Sequence, residues 1–166
     1  KKGNPARTAE NIMINKFGGS KPIFVLFKGD IQSPEVLNMI LETEEYMKKS
    51  PDVYATNSVA NLVMEVNFGM GEGIRRIPPE KEMVEQLWAF TLEGNDILKA
   101  YVNKDLTEAI IISKFMSPDN KAKIAFSKYM DDFIKKHSSD ECVIEITGMP
   151  FVDVTMDRSL IRSQFG

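Results

Sequence analysis

The sequence predicts an α+β domain built on one four-stranded sheet, and three observations predict it. Residues 23–27 and 109–112 are unbroken apolar runs, which are typical of central strands buried on both faces. Residues 53–58 and 142–147 mix polar and apolar side chains, as edge strands should. Two helical patterns begin with the same Ser-Pro-acidic signal. The order strand, helix, strand, strand, helix, strand predicts a ferredoxin-like split βαβ sandwich with its first and third strands in the centre.

The first part of the chain is expected to hold a helix over residues 4–18 and a strand–helix–strand unit over residues 21–58. Apolar residues recur at helical spacing in the first segment, and two glycines end the pattern. Ser33 is expected to cap the helix of the second segment, because its side chain can accept from a free amide and Pro34 suits the first turn. This helix should bury Val36, Leu37, Ile40, Leu41 and Met47.

Residues 59–94 are predicted to form a helical insertion between the second and third strands. The insertion begins with apolar residues at helical spacing, passes through a loose glycine-rich stretch at 69–73, and resumes as a helix after two prolines. The alternating glycines follow a helix, whereas a phosphate-binding loop follows a strand and opens a helix. The context therefore argues against a phosphate site.

Residues 95–148 are predicted to form a hairpin, a helix and a strand. The hairpin should pair residues 97–102 with residues 109–115 across a turn at residues 103–105. Ser117, followed by proline, repeats the helix start seen at Ser33. A last amphipathic helix is expected over residues 149–166, and its pattern has no stop signal, which suggests a segment of a longer protein.

The two central strands are apolar on both faces, yet two helices cover only one face of such a sheet. A second cover is therefore expected. Either the helical insertion folds over the second face, or another domain does.

Composition argues against several functional classes. The 166-residue chain has 21 Lys and Arg against 24 Asp and Glu, and the basic residues are scattered, so no nucleic-acid surface is predicted. The lone Cys142 and the lone His137 supply neither the ligand set of a catalytic zinc nor an activated nucleophile. The acidic pairs at 44–45 and 131–132 are interpreted as solvated helix faces. We therefore predict no enzyme activity, no metal and no cofactor.

Soft apolar side chains are concentrated in the insertion and are the candidate ligand contacts. Methionine and aromatic side chains suit a surface that meets varied apolar ligands. The same spacing is typical of helix cores, so core packing and ligand binding both stay open. The candidates are Met64, Phe68, Met70, Met83, Trp88 and Phe90.

Four stretches carry a resemblance to a known family: FGGSKPIFVLFKGDIQSPEVL, SVANLV, IPPE and ITGMPFVDVTMDRSLIRSQ. Together they resemble the extracytoplasmic loop domain of the resistance-nodulation-division (RND) transporter superfamily, on its MMPL-like branch of predicted hydrophobe exporters. The resemblance spans nearly the whole chain. It implies a domain on the extracytoplasmic side of the cytoplasmic membrane, periplasmic where an outer membrane exists, in a proton-driven exporter with transmembrane helices at both ends.

The same resemblance implies the partners. They are the rest of the transporter's own chain, including a second similar loop domain that would cover the free sheet face, and a hydrophobic or lipid-like substrate. Arg158 and Arg162 would lie next to the membrane, where long cationic side chains reach the headgroups. The family's proton-relay acids belong to transmembrane helices, so no catalytic residue is assigned here. Homo-oligomerisation is left open.

Two alternatives use the same fold. One is a soluble ferredoxin-like small-ligand-sensing or regulatory module, which would have to explain the unstopped helix over residues 149–166. The other is an acyl phosphate hydrolase, which needs an arginine clamp in the loop after the first strand. That loop, residues 29–33, reads Gly-Asp-Ile-Gln-Ser and has no arginine, so the hydrolase is rejected.

Overall fold

The computed structural model describes residues 21–116 and 119–147, which form an α+β domain with one antiparallel sheet. The strands are β1 (Lys21–Gly29), β2 (Val53–Asn57), β3 (Glu108–Phe115) and β4 (Cys142–Thr147). The α-helices are α1 (Pro34–Lys48), α2 (Val59–Met70), α3 (Lys81–Leu87) and α4 (Asn120–His137). The helices expected over residues 4–18 and 149–166, with Arg158 and Arg162, lie outside the described residues.

The sheet has the order β2-β3-β1-β4, and every pair of neighbouring strands is antiparallel. The two unbroken apolar runs therefore occupy the centre, as the sequence predicts. Phe24 pairs with Ile112 on β3 and with Thr147 on β4, whereas Val25 pairs with Ile111. Because directly opposed residues share a face and neighbours along a strand alternate, this register separates two apolar faces.

The first face carries the main core. Val25, Phe27 and Ile111 are fully buried there together with side chains from α1 and α4. The insertion joins this same core rather than the second face: it contributes Val59, Ala60, Val63, Ile77, Val84, Leu87, Trp88 and Leu92. The insertion is thus a lateral extension of the helical layer, because its apolar stripe continues the one that α1 presents.

The second face has its own small cluster, formed by Phe24, Leu26, Ile110 and Ile112, each at most 6% exposed. Within the described part of the chain, the partly buried hydrophobic residues that pack on this cluster are Ala100 and Tyr101. The expectation that the insertion covers this face is therefore not met by the described residues.

One of the two predicted helix starts is confirmed and the other is wrong. The Ser33 Oγ accepts from the Val36 amide at 3.4 Å, and Pro34 is the first residue of α1. The cap of α4 is Asp119 and not Ser117, since the Asp119 carboxylate accepts from the Lys121 amide at 3.0 Å. Both acidic and hydroxyl side chains cap well, and here the residue after the proline does so.

The predicted hairpin over residues 97–115 is wrong in its first strand, whereas its second strand is present as β3. Residues Asp96–Ala100 form a 3-10 helix, with Asn95 capping it through a 2.9 Å bond from the Ile97 amide. Only an isolated bridge, Val102 to Ala109, remains of the expected pairing. Asn103 closes the loop because its side-chain oxygen accepts from the Thr107 and Glu108 amides at 2.9 and 3.0 Å. A π-helical turn, Trp88–Leu92, precedes this region.

Candidate ligand surface at the end of helix α2

The six candidate contacts do not form one surface. Phe68, Met70 and Phe90 are 48%, 72% and 84% exposed and are open to a ligand. Trp88 is buried in the main core, Met64 packs against that core, and Met83 is half-buried. The core interpretation therefore holds for Trp88 and Met64, and the ligand interpretation is left with the three exposed side chains.

Phe68 and Met70 stand at the end of α2, where the fully buried Asn67 organises the chain. Its side-chain amide nitrogen lies 2.9 Å from Glu72 Oε1 and 3.2 and 2.9 Å from the carbonyl oxygens of Ile74 and Arg76. Its side-chain oxygen accepts from the Glu72 amide at 2.9 Å. One side chain thus bonds to backbone groups of the following loop and folds that loop back on α2.

The glycine-rich stretch after α2 is consequently an ordered turn, and its description as loose is wrong. The Asn67 carbonyl accepts from both the Gly71 and Gly73 amides, at 3.1 and 3.0 Å. A β-carbon at Gly71 would collide with the Asn67 side-chain oxygen, and Gly73 has a φ of 77°. Both glycines are needed because this backbone path leaves no room for a side chain or requires the left-handed region.

Charges around this turn are paired. Arg76 contacts Glu72 through two hydrogen bonds of 3.0 and 2.9 Å, and these, together with the bond from Asn67, lower the pKa of Glu72 to about 2. Arg75 also donates two hydrogen bonds to the carboxylate of Glu65, and these lower the pKa of Glu65. The Arg75 guanidinium also lies 4.2 Å above the Phe68 ring. At an exposed position, a bidentate arginine–carboxylate pair contributes little stability, but it fixes the relative orientation of its two side chains.

We name the exposed side chains of this turn the α2 surface: Phe68, Met70 and Ile74, with Arg75 stacked on Phe68. Ile74 is 49% exposed and was not among the sequence candidates, because its segment has no helical spacing. The surface combines apolar side chains with neutralised charges on a rigid turn. Such an arrangement can bind an uncharged apolar group by contact, and it holds no general acid, general base or nucleophile poised for chemistry.

A groove lies between α1 and α4, lined by residues of both helices. Tyr46 and Tyr129 stack at 4.2 Å, and each hydroxyl donates to the other residue's carbonyl, at 2.6 and 2.8 Å. His137, the last residue of α4, packs against Phe133 in a tilted arrangement, with ring centroids 4.2 Å apart, and lies 4.0 Å from Glu42. These contacts join the two helices and satisfy their own polar atoms. Among the described residues, no group of three or more His, Cys, Asp or Glu could hold a metal ion.

Glu44 is the polar residue that sequence reasoning misplaced. The sequence pattern predicts that Glu44 lies on a solvated helix face, but its exposed fraction is 2%. Burial raises the pKa of Glu44 against the opposing effect of hydrogen bonds from Ser58 and Thr56. The signal was present in the sequence, because Leu37, Ile40, position 44 and Met47 follow helical spacing. A glutamate within the apolar face of a helix indicates a carboxyl group that is buried and hydrogen-bonded.

No helix in the described portion of the chain has the length and apolar character needed to cross a membrane. Comparison of the sequence and structure with protein-family models, curated proteins and solved structures finds no match.

Proposed function

We propose that this chain is the extracytoplasmic loop domain of a proton-driven RND-type exporter of the MMPL-like branch. The proposal includes a ferredoxin-like plan. It is supported by the sheet order β2-β3-β1-β4, by antiparallel pairing throughout, and by helices α1 and α4 that each connect two strands with another strand between them. The helical insertion then lies between β2 and β3, at the position expected from the sequence.

The observation that carries the proposal is the place where the two flanking segments meet the sheet. Lys21 is the first residue of β1 and Thr147 is the last residue of β4, and Thr147 pairs with Phe24. The chain therefore enters and leaves the sheet at the same end, on adjacent strands. This geometry suits a domain placed between two membrane-spanning helices, because both helices must reach the same membrane surface.

The proposed substrate is hydrophobic or lipid-like, and the proposed contact is the α2 surface with Phe90. Exposed apolar side chains on a preformed turn favour an apolar ligand, since little ordering is required on binding. Paired charges at Glu65–Arg75 and Glu72–Arg76 leave little net field to attract a strongly charged ligand.

A labelling experiment on the full-length protein tests the location. The loop around Lys104 lies at the opposite end of the sheet from the flanking segments, because the amide of Gly29, the last residue of β1, donates to the Thr107 carbonyl. Lys104 is exposed, whereas Cys142 is buried. In a full-length variant without other cysteines, Lys104→Cys should react with a membrane-impermeant maleimide on intact cells.

The control is the same protein without the introduced cysteine, which should stay unlabelled. Labelling of Lys104→Cys only after lysis, with the protein in the soluble fraction, would contradict the proposal. That result would favour the alternative, a soluble small-ligand-sensing or regulatory module with the same fold.

A further inference from the structure

A buried carboxyl joins three elements at one corner of the domain. Glu44 on α1 accepts from Thr56 Oγ1 at the end of β2, at 2.7 Å, and from Ser58 Oγ at the start of α2, at 2.6 Å. Ser58 Oγ also accepts from the Ala60 amide at 3.2 Å and so caps α2. Both oxygens of one carboxyl therefore hold the edge strand and the start of the insertion to α1.

The surroundings of Glu44 decide how it responds to protons. Lys48, one turn later on α1, is the cation that acts on Glu44. Burial, followed by the charge of Glu44, raises the pKa of the Tyr101 phenol. The neighbours from β2 and α2 are the uncharged Thr56, Ser58 and Asn61. Burial has the largest effect and raises the pKa of Glu44 above 4.5.

A protonated Glu44 fits the same place. Ser58 is buried and can continue to donate to the unprotonated oxygen of the carboxyl. Thr56 is half-buried, so its hydroxyl can turn its proton away and accept from a protonated Glu44. Proton uptake reverses the direction of one hydrogen bond, keeps both, and removes a buried charge.

We propose that Glu44, Thr56 and Ser58 form a proton-binding latch that holds β2 and α2 to α1 more tightly as the pH falls. In the unfolded or locally open state the carboxyl has its ordinary pKa, and in the closed state that pKa is higher. The closed state therefore gains stability from proton binding. This stability is fully present below pH 4.5 and is lost as the pH rises through the raised pKa of Glu44. The latch is separate from the proposed function and would operate in any location.

Hydrogen exchange of the backbone amides in the first turn of α2, residues 59–63, tests the latch. Exchange is measured between pH 4.5 and 8 and corrected for the intrinsic exchange rate. The protection factor of these amides should fall tenfold for each pH unit from pH 4.5 to the raised pKa of Glu44, and should be constant above it. Glu44→Gln should lose this dependence, because its amide can serve both hydroxyls without titrating. Glu82→Gln is the control, since Glu82 is exposed on α3 and the change leaves both Lys48 and the latch residues in place.

A pH dependence that persists unchanged in Glu44→Gln, or none in the unmodified protein, would overturn the latch. Thr56→Val provides a second measurement if Glu44→Gln does not fold. It removes one bond to the ionised carboxylate, so the point at which protection levels off should move to higher pH. An unmoved levelling point also refutes the proposal.

Discussion

Asn67→Ala should destabilise the domain by about 2–3 kcal/mol. The buried side chain supplies two N–H donors, shared among three oxygens, and one oxygen acceptor to the turn that follows α2. Counting one hydrogen bond for each of these three groups, at about 1 kcal/mol each, gives about 3 kcal/mol. Alanine recovers about 0.5 kcal/mol through its higher helix propensity. The assay is urea unfolding followed by the fluorescence of Trp88, which is buried in the same core as α2.

The matched control is Asn38→Ala, an exposed asparagine inside α1. It should leave the unfolding free energy within about 0.5 kcal/mol of the unmodified protein, on the stabilising side. If Asn67→Ala behaves like Asn38→Ala, the turn does not depend on Asn67 and the α2 surface is not preformed.

Three further results are expected. Phe68→Ala should weaken binding of N-phenyl-1-naphthylamine, measured by the fluorescence of this probe, with little change in stability, because Phe68 is exposed. Equal probe affinities in Phe68→Ala and the unmodified protein would argue against the α2 surface as a binding site. Trp88→Ala should instead lower the unfolding free energy by about 3–5 kcal/mol in urea unfolding, because Trp88 is buried. The unfolding free energy of Glu44→Gln minus that of the unmodified protein should increase from pH 4.5 to 7.5, and a constant difference would contradict the raised pKa of Glu44. Tyr46→Phe and Tyr129→Phe should each lower the unfolding free energy by about 1 kcal/mol, since each removes one hydroxyl-to-carbonyl hydrogen bond between α1 and α4. If thermal unfolding shows no loss of stability in either variant, ring stacking alone joins the two helices.

The centre of the sheet could be predicted because its signal is local. An unbroken apolar run of β-branched and aromatic residues, as in 23–27, fits a strand covered on both faces, and the register bears this out at Phe24 and Val25. The segment 97–102 is also mostly apolar, with Lys99 as its one charged residue, yet its first part is helical. Short apolar runs are ambiguous, and here the cap at Asn95 is the deciding local feature.

The candidate site was harder to predict because its organising residues are polar. Periodicity treats Asn67 as a surface residue, and nothing local indicates that it bonds to backbone seven and nine positions later. Glu44 was misassigned for the same reason, although its place in the stripe of α1 was visible. Pattern identifies which side chains are apolar, whereas the use of a buried polar side chain depends on partners brought together by the fold.

Helix α2 is held at both ends by buried polar side chains of different kinds. Its start is tied by the titratable Glu44 through Ser58, and its end by the amide of Asn67, which does not titrate. From Ser58 to Asn67 the helix rises about 1.5 Å per residue, so the two ties are more than 10 Å apart and share no partner. Their effects should therefore add, and the unfolding free energy of Glu44→Gln with Asn67→Ala should equal the sum of the single changes within about 0.5 kcal/mol. A larger coupling in a double-mutant cycle would mean that proton uptake at Glu44 reaches the α2 surface through the helix.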